Sequence, residues 1–144
     1  MPKNATTIRE ISKPAEWQAM YALIKQQNKD TTKAEYTRLL KEMRARGYRC
    51  AGAFQGTKLV GVMGFWIGYR FWCKKHLDID NAIVDESLRS KGIGAKLLHW
   101  VEKVAKEEEC YLIGLDSYTT AHKAHRFYFR EGYCILGYHF IKYL

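Results

Sequence analysis

The stretch Arg89-Ser90-Lys91-Gly92-Ile93-Gly94-Ala95-Lys96 constrains this chain more than any other. It follows an apolar, strand-like run, Asp80-Asn81-Ala82-Ile83-Val84. Behind it, Ile93, Leu97, Trp100, Val101 and Val104 recur at helical spacing. A strand that turns through two glycines straight into an amphipathic helix aims free backbone N–H groups at one spot. The first N–H groups of a helix lack internal partners, and the helix dipole adds partial positive charge there. With Arg89, Lys91 and Lys96 nearby, the segment reads as a phosphate-binding turn. It is not a Walker A loop, because the spaced first glycine and the Lys-Ser/Thr pair are missing. Only two of the three glycines of a dinucleotide fingerprint are present.

The rest of the chain supplies the frame. Residues 5–12 alternate weakly and suit an edge strand. Pro14 fits a first helical turn, and Trp17, Met20, Tyr21 and Ile24 extend a helix over 14–27. Thr32 and Glu35 form a capping-box pattern before the stripe Tyr36, Leu39, Leu40 and Met43, and Gly47 stops that helix. Residues 48–54 and 58–71 flank a short Gln-Gly-Thr loop and predict a hairpin, with 76–84 as its third strand. Asp78 and Asp80 lie on that third strand with the parity of Ala82 and Val84. Buried carboxylates are costly unless paired or used. A helix from Gly92, a strand over 111–115, a helix over 120–130 and two strands around Gly137 complete the expectation. The order is β-α-α-β-β-β-α-β-α-β-β, an α/β fold with a mixed sheet, in a single domain spanning 1–144.

Composition narrows the classes. Lys and Arg number 24 against 15 Asp and Glu, a net charge of +9. The cations are dispersed, with no block of five, which disfavours a nucleic-acid binder and leaves an anionic cofactor or substrate. No apolar run approaches the roughly 20 residues that span a bilayer. The polar start Met1-Pro2-Lys3-Asn4-Ala5 has no apolar stretch behind it, so a cytoplasmic protein with no membrane partner is expected. Cys50, Cys73, Cys110 and Cys134 form no close pair; all four read as reduced, three of them packed in or beside strands, with no metal site.

The segment from Ile83 to Gly94 resembles the signature of the GCN5-related N-acetyltransferases, Gln/Arg-x-x-Gly-x-Gly/Ala. A second match lies in Ala124-His125-Arg126-Phe127-Tyr128-Phe129-Arg130-Glu131-Gly132-Tyr133, which is similar to the family's Ala-x-x-Leu/Phe-Tyr-x-x-x-Gly-Phe element. The resemblance covers residues 48–138 well and the first helices by order. It implies acetyl-CoA as co-substrate and direct transfer of acetyl to a primary amine. Arg89, Ser90, Lys91, Gly92, Ile93, Gly94 and Ala95 would hold its pyrophosphate. Ile83 and Val84 would offer main-chain contacts to the pantetheine arm, with Ala124, Phe127 and Tyr128 along the second element.

Tyr128 matches the tyrosine that many members use as general acid toward the CoA sulfur; the alternative is packing, as for Phe127. Asp78 and Asp80 are the candidates for the base that takes the amine proton, the alternative being a structural pair with Arg70, Lys74 or His76. The asparagine many relatives place seven residues before the tyrosine is Ala121 here, so Ser117 or His122 would replace its cofactor contact. Acceptor-side candidates are Tyr21, Lys25, Gln26, Tyr69, Arg70, Trp72, Lys74, Tyr138 and His139. Cations among aromatics suit a small amine that also carries an anionic group. Protein lysine or N-terminal acetylation and a non-catalytic acyl-CoA-binding module are the alternatives. Tyr138, Phe140 and Tyr143 in the tail could face a partner in a homodimer.

Overall fold

The computed structural model describes residues 5–144; the polar start at 1–4 lies outside them. The elements are β1 (Thr6–Glu10), α1 (Pro14–Gln27), α2 (Lys33–Ala45), β2 (Arg49–Gln55), β3 (Lys58–Arg70), β4 (Lys74–Val84), a 3-10 turn (Glu86–Leu88), α3 (Ile93–Glu107), β5 (Leu112–Leu115) and α4 (His122–Arg130). They fall into two compact units, one ending at Gly114 and one from Leu115 to Leu144. Through α4 the order is the one read from the sequence.

The first unit is built on a sheet ordered β1-β2-β3-β4-β5. The first three pairings are antiparallel, and α3 connects β4 to β5. Helices cover both faces. Val62 packs with Trp17, Met20 and Leu23 of α1 and Tyr36 of α2. Its neighbour Gly61 points the other way, against Ile93 and Leu97 of α3, as the alternation of a strand requires. On α3, Ile93, Leu97, Val101 and Val104 of the expected stripe are buried together with Leu98 and Ala105, whereas Trp100 is only half-buried. Leu39 departs from the expected stripe of α2: it is exposed, while Leu40 and Met43 pack against the core.

Both first helices start on side-chain oxygens. Glu16 accepts from the N–H groups of Ser12 and Lys13, each at 3.1 Å, and from Arg9 Nη2 at 2.6 Å. Thr32 Oγ1 accepts from Glu35 N at 3.2 Å, so the predicted capping position is real, although only its threonine half is used. The Tyr36 hydroxyl donates to Trp17 O and locks α2 on α1.

A β-bulge shapes the site. Gly64 pairs with Asn81 and Phe65 with Ile79, leaving Asp80 as the extra residue on β4. Position 64 must be glycine, because any side chain there would overlap the Tyr48 hydroxyl and Asn81 Oδ1.

The two strands expected around Gly137 do not form: residues 133–144 carry no strand. Their apolar and β-branched composition suits a strand, but a strand exists only where its N–H and C=O groups find a neighbour. Of the four free cysteines, Cys50 and Cys73 are buried, Cys110 is half-buried and Cys134 is exposed. No helix among the described residues is long and apolar enough to cross a membrane.

Candidate active site

The turn from Asp85 to Gly92 is assembled by local hydrogen bonds. Asp85 N donates to Val60 O at 2.8 Å, fixing the end of β4. The Asp85 carboxylate accepts from Ser87 N at 3.0 Å and Ser87 Oγ at 2.7 Å. These bonds to Ser87 hold its pKa below the usual carboxylate value, with Lys58 and Arg89 adding to the effect. Two residues then take left-handed backbone, Ser90 at φ 63° and Gly92 at φ 79°. Successive N–H groups in such a curl converge and form an anion-binding nest. Gly92 O accepts from Lys96 N at 3.1 Å, the first bond of α3. The N–H groups before Lys96 are the unpartnered donors of the helix start. Arg89, Ser90, Lys91 and Gly92 are exposed, with Gly94 and Ala95 half-buried behind them. Lys91 and Lys96 line a cavity of about 220 Å³ with Thr6, Gln55, Leu88 and Ile93.

Beside this turn, the last residues of β4 direct part of their main chain away from β3. Asp85 N bonds to Val60 O, and antiparallel bonding alternates along a strand. Ile83 therefore bonds toward β3, and the outward N–H and C=O groups belong to Ala82 and Val84. Ile83 is buried by its side chain. The sequence reading named Ile83 and Val84 together; the alternation gives the outward main chain to Val84 and adds Ala82. Two glutamines at the end of α1 reach this segment: Gln27 Nε2 donates to Ala82 O at 3.2 Å, and Gln26 Oε1 accepts from Glu86 N at 3.3 Å. Neither contact was foreseeable from spacing, because they join residues 55 and 60 positions apart.

The bulge separates the two aspartates. Asp78 is half-buried and engaged, its Oδ2 lying 3.0 Å from Arg70 Nη2 and 3.0 Å from His76 Nε2. His76 is the buried partner, and its other ring nitrogen faces Lys74 O at 3.3 Å. Asp80 is exposed and accepts a bond from Trp66 Nε1 at 2.9 Å. Next to it, Asn81 Oδ1 accepts from the Tyr48 hydroxyl at 2.5 Å, while Asn81 Nδ2 is buried with no partner. Burial raises the Tyr48 pKa well above the ordinary phenol value, so it stays a donor. The tilted rings of Tyr48 and Trp66 lie 5.3 Å apart. Tyr48, Trp66 and Asn81 were missed in the sequence, where they look like core and turn residues.

The acceptor-side candidates disperse. The Tyr21 hydroxyl and Lys25 Nζ both donate to Thr31 O, at 3.0 and 3.1 Å, closing the loop between α1 and α2. Tyr69 and Trp72 are exposed at the β3–β4 turn, and Lys74 lies over the Tyr111 ring at 5.6 Å.

In the second unit, Tyr128 stacks edge-on with Phe127 and Tyr133, at centroid distances of 5.2 and 5.7 Å. Burial raises its pKa, keeping the phenol protonated at neutral pH. Ala121 caps α4 without a side-chain bond. Ser117 and His122 are exposed, and Ala124 is half-buried. His139 Nδ1 lies 3.1 Å from Asp116 Oδ2, and Tyr138 is exposed.

The end of β4, the left-handed turn at Ser90 and Gly92 and the start of α3 thus follow one another directly, with exposed Asp80 at the bulge upstream. The sequence profile of the acetyltransferase (GNAT) family matches residues 17–133. The chain belongs to the GNAT acetyltransferase family. Over 85 residues, 56% of the chain and 53% of the relative, it is 34% identical to an aminoalkylphosphonate N-acetyltransferase of Salmonella typhimurium. The match thus spans about half the length of that relative. Among solved structures, it is similar to an aminoglycoside N-acetyltransferase in complex with CoA, with TM-score 0.86 and 15% identity over 100% of this chain and 98% of the other. It is also similar to glucosamine-6-phosphate N-acetyltransferase from Arabidopsis thaliana, with TM-score 0.77 and 22% identity over 96% and 98% of the two chains. These two likenesses are of fold.

Proposed function

We propose that this GNAT protein is an acetyl-CoA-dependent N-acetyltransferase acting on the primary amine of a small molecule that also carries an anionic group. The observation that carries the reading is the continuity of the outward Ala82–Val84 edge with the left-handed turn at Ser90 and Gly92. An extended amide-bearing arm adds to a strand edge by main-chain bonds, and a pyrophosphate fits the nest beyond it. Nothing lies within 4 Å of where a side chain on Gly92 would begin, so a phosphate has room to approach that backbone.

Acetyl-CoA, when bound, supplies the thioester whose carbonyl carbon the amine attacks. An alkylammonium titrates near pH 10, so a base must take its proton before attack. Asp80 is the better placed of the two acids in this reading. Its carboxylate is open to solvent and oriented by the neutral Trp66 N–H, whereas Asp78 is already shared between Arg70 and His76. Tyr128, protonated at neutral pH, is the proposed donor to the departing sulfur. The backbone amides of the turn from Ser90 to Ala95 anchor the donor without entering the chemistry, and Lys91 and Arg89 add charge.

The anionic acceptor rests on the net charge of +9 and on the relative named for aminoalkylphosphonates. The test is CoA release with a panel of aminoalkylphosphonates, amino-sugar phosphates, aminoglycosides, polyamines and lysine peptides. Turnover concentrated in the phosphonate and phosphate amines is expected. Turnover with polyamines or peptides alone overturns the acceptor class, and no thiol release with any amine overturns catalysis.

A further inference from the structure

Asp80 is an exposed carboxylate on a bulge, and such a side chain is free to turn unless something holds it. A base has to meet its proton within hydrogen-bond reach and in a fixed geometry. Two handles fix Asp80, one on the carboxylate and one on the residue beside it. Trp66 Nε1 donates to Asp80 Oδ2 at 2.9 Å. The next residue, Asn81, accepts through Oδ1 from the Tyr48 hydroxyl at 2.5 Å.

Both handles lead to Tyr48. Its ring centroid lies 5.3 Å from that of Trp66, with the two planes 54° apart. Its hydroxyl reaches the bulge through the gap left at Gly64, where a Cβ would come within 1.9 Å of it. Tyr48 is itself anchored. It is 4% exposed, its N–H donates to Met43 O at 3.0 Å, and the Trp17 ring lies 6.2 Å from its own.

Packing alone does not account for the hydroxyl. A phenylalanine would fill the same core space, and an apolar residue at position 81 would need no partner. Replacing both members of a buried hydrogen bond by apolar groups can be neutral for stability. Here the pair stands although Asn81 Nδ2 is buried without a partner, a cost that a contact serving stability alone would not carry.

Resting on the reading of Asp80 as the base, we propose that Tyr48 is its positioning residue. The hydroxyl fixes the bulge through Asn81, and the ring fixes Trp66, which aims the carboxylate. Tyr48 acts on the reaction through Asp80 alone.

Thiol release from acetyl-CoA, with the fastest amine of the panel above, tests this in Tyr48→Phe and Trp66→Phe. Each should lower kcat about ten-fold and leave KM within about two-fold, because a misplaced base slows chemistry rather than binding. In an Asp80→Asn background neither should lower kcat further, since residues acting as one unit are not additive. The Trp66 indole proton gives a readout that needs no substrate. Its exchange with solvent, followed by NMR, should be faster in Tyr48→Phe and approach the rate in Asp80→Ala. Where Tyr48→Phe does not fold, Asn81→Ala breaks the same bond from its other end and is read in the same way. Unchanged kcat, additive losses in the Asp80→Asn background, or unmoved indole exchange overturns the role of Tyr48 and leaves Asp80 its own. Full activity of Asp80→Asn, or no turnover with any amine, overturns the catalytic reading and this role with it.

Discussion

Gln27 at the end of α1 donates its side-chain amide to the main-chain oxygen of Ala82, 3.2 Å away on the side of β4 turned from β3. A side chain thus takes an acceptor that the strand would offer to a neighbouring strand. Gln26 fastens the same helix end to Glu86. The close of α1 and the end of β4 are therefore one mechanical piece, and a ligand adding along Ala82–Val84 has to take over the acceptor Gln27 holds.

Gln27→Ala should accordingly tighten CoA binding. A net hydrogen bond contributes about 1 kcal/mol, so calorimetry should read a Kd lowered by roughly five-fold. Unchanged or weaker binding would mean that the arm does not use Ala82, or that Gln27 itself contacts it.

Asp78 and Asp80 should separate by experiment as they do in space. Asp78→Ala removes the acceptor of buried His76 Nε2 and should cost about 1–3 kcal/mol of stability in urea denaturation. Asp80→Asn keeps an oxygen for Trp66 and should leave stability unchanged while lowering kcat/KM about 100-fold. Should Asp80→Asn retain full activity, the base lies elsewhere and Asp78 becomes the acid to test by Asp78→Asn.

These two residues also show how far the sequence could be read. Its parity placed both acids together with Ala82 and Val84, and nothing in it announced the bulge at Asp80 that sets them apart. The bulge depends on Gly64, on another strand, giving room to the Tyr48 hydroxyl. Cross-strand causes of this kind have no local signature. The glycine turn into α3 was legible because its causes are local: left-handed backbone at Gly92 and a helix start right after it. The tail misled for the opposite reason. Its strand-like composition is genuine, but pairing is a property of two segments and only one is written there.

Tyr128→Phe keeps the ring contacts with Phe127 and Tyr133 and deletes only the hydroxyl. Turnover should fall about 100-fold, with the Kd for acetyl-CoA changed less than two-fold. Equal loss of binding and turnover would assign the residue to holding the donor.

Glu16 gives a pH signature that owes nothing to catalysis. The Arg9 side chain, then the Ser12 and Lys13 N–H groups, lower its pKa from 4.5 to about 2. A carboxylate depressed in the folded state adds stability above its unfolded pKa and loses it as pH falls through the folded value. Glu16→Gln should therefore lower Tm at pH 7, and the gap to the parent should narrow between pH 4.5 and 2. A gap independent of pH would show that the charge is not what holds the start of α1.

The two left-handed residues of the phosphate turn should respond differently to substitution. Gly92, at φ 79°, meets no atom within 4 Å that would resist a Cβ, so Gly92→Ala tests backbone strain alone. For an L-residue that strain is about 1–2 kcal/mol. Relaxing it would swing the N–H groups that start α3 away from their common focus. Gly92→Ala should thus lower Tm and weaken CoA binding more than ten-fold. Ser90 already bears such strain at φ 63°, so Ser90→Gly should hold or raise Tm. Its hydroxyl is exposed, so CoA affinity should stay within about three-fold if the main chain is what grips the pyrophosphate. A large loss with Ser90→Gly would move the phosphate contact from backbone to side chain, and normal binding by Gly92→Ala would remove the nest from the site.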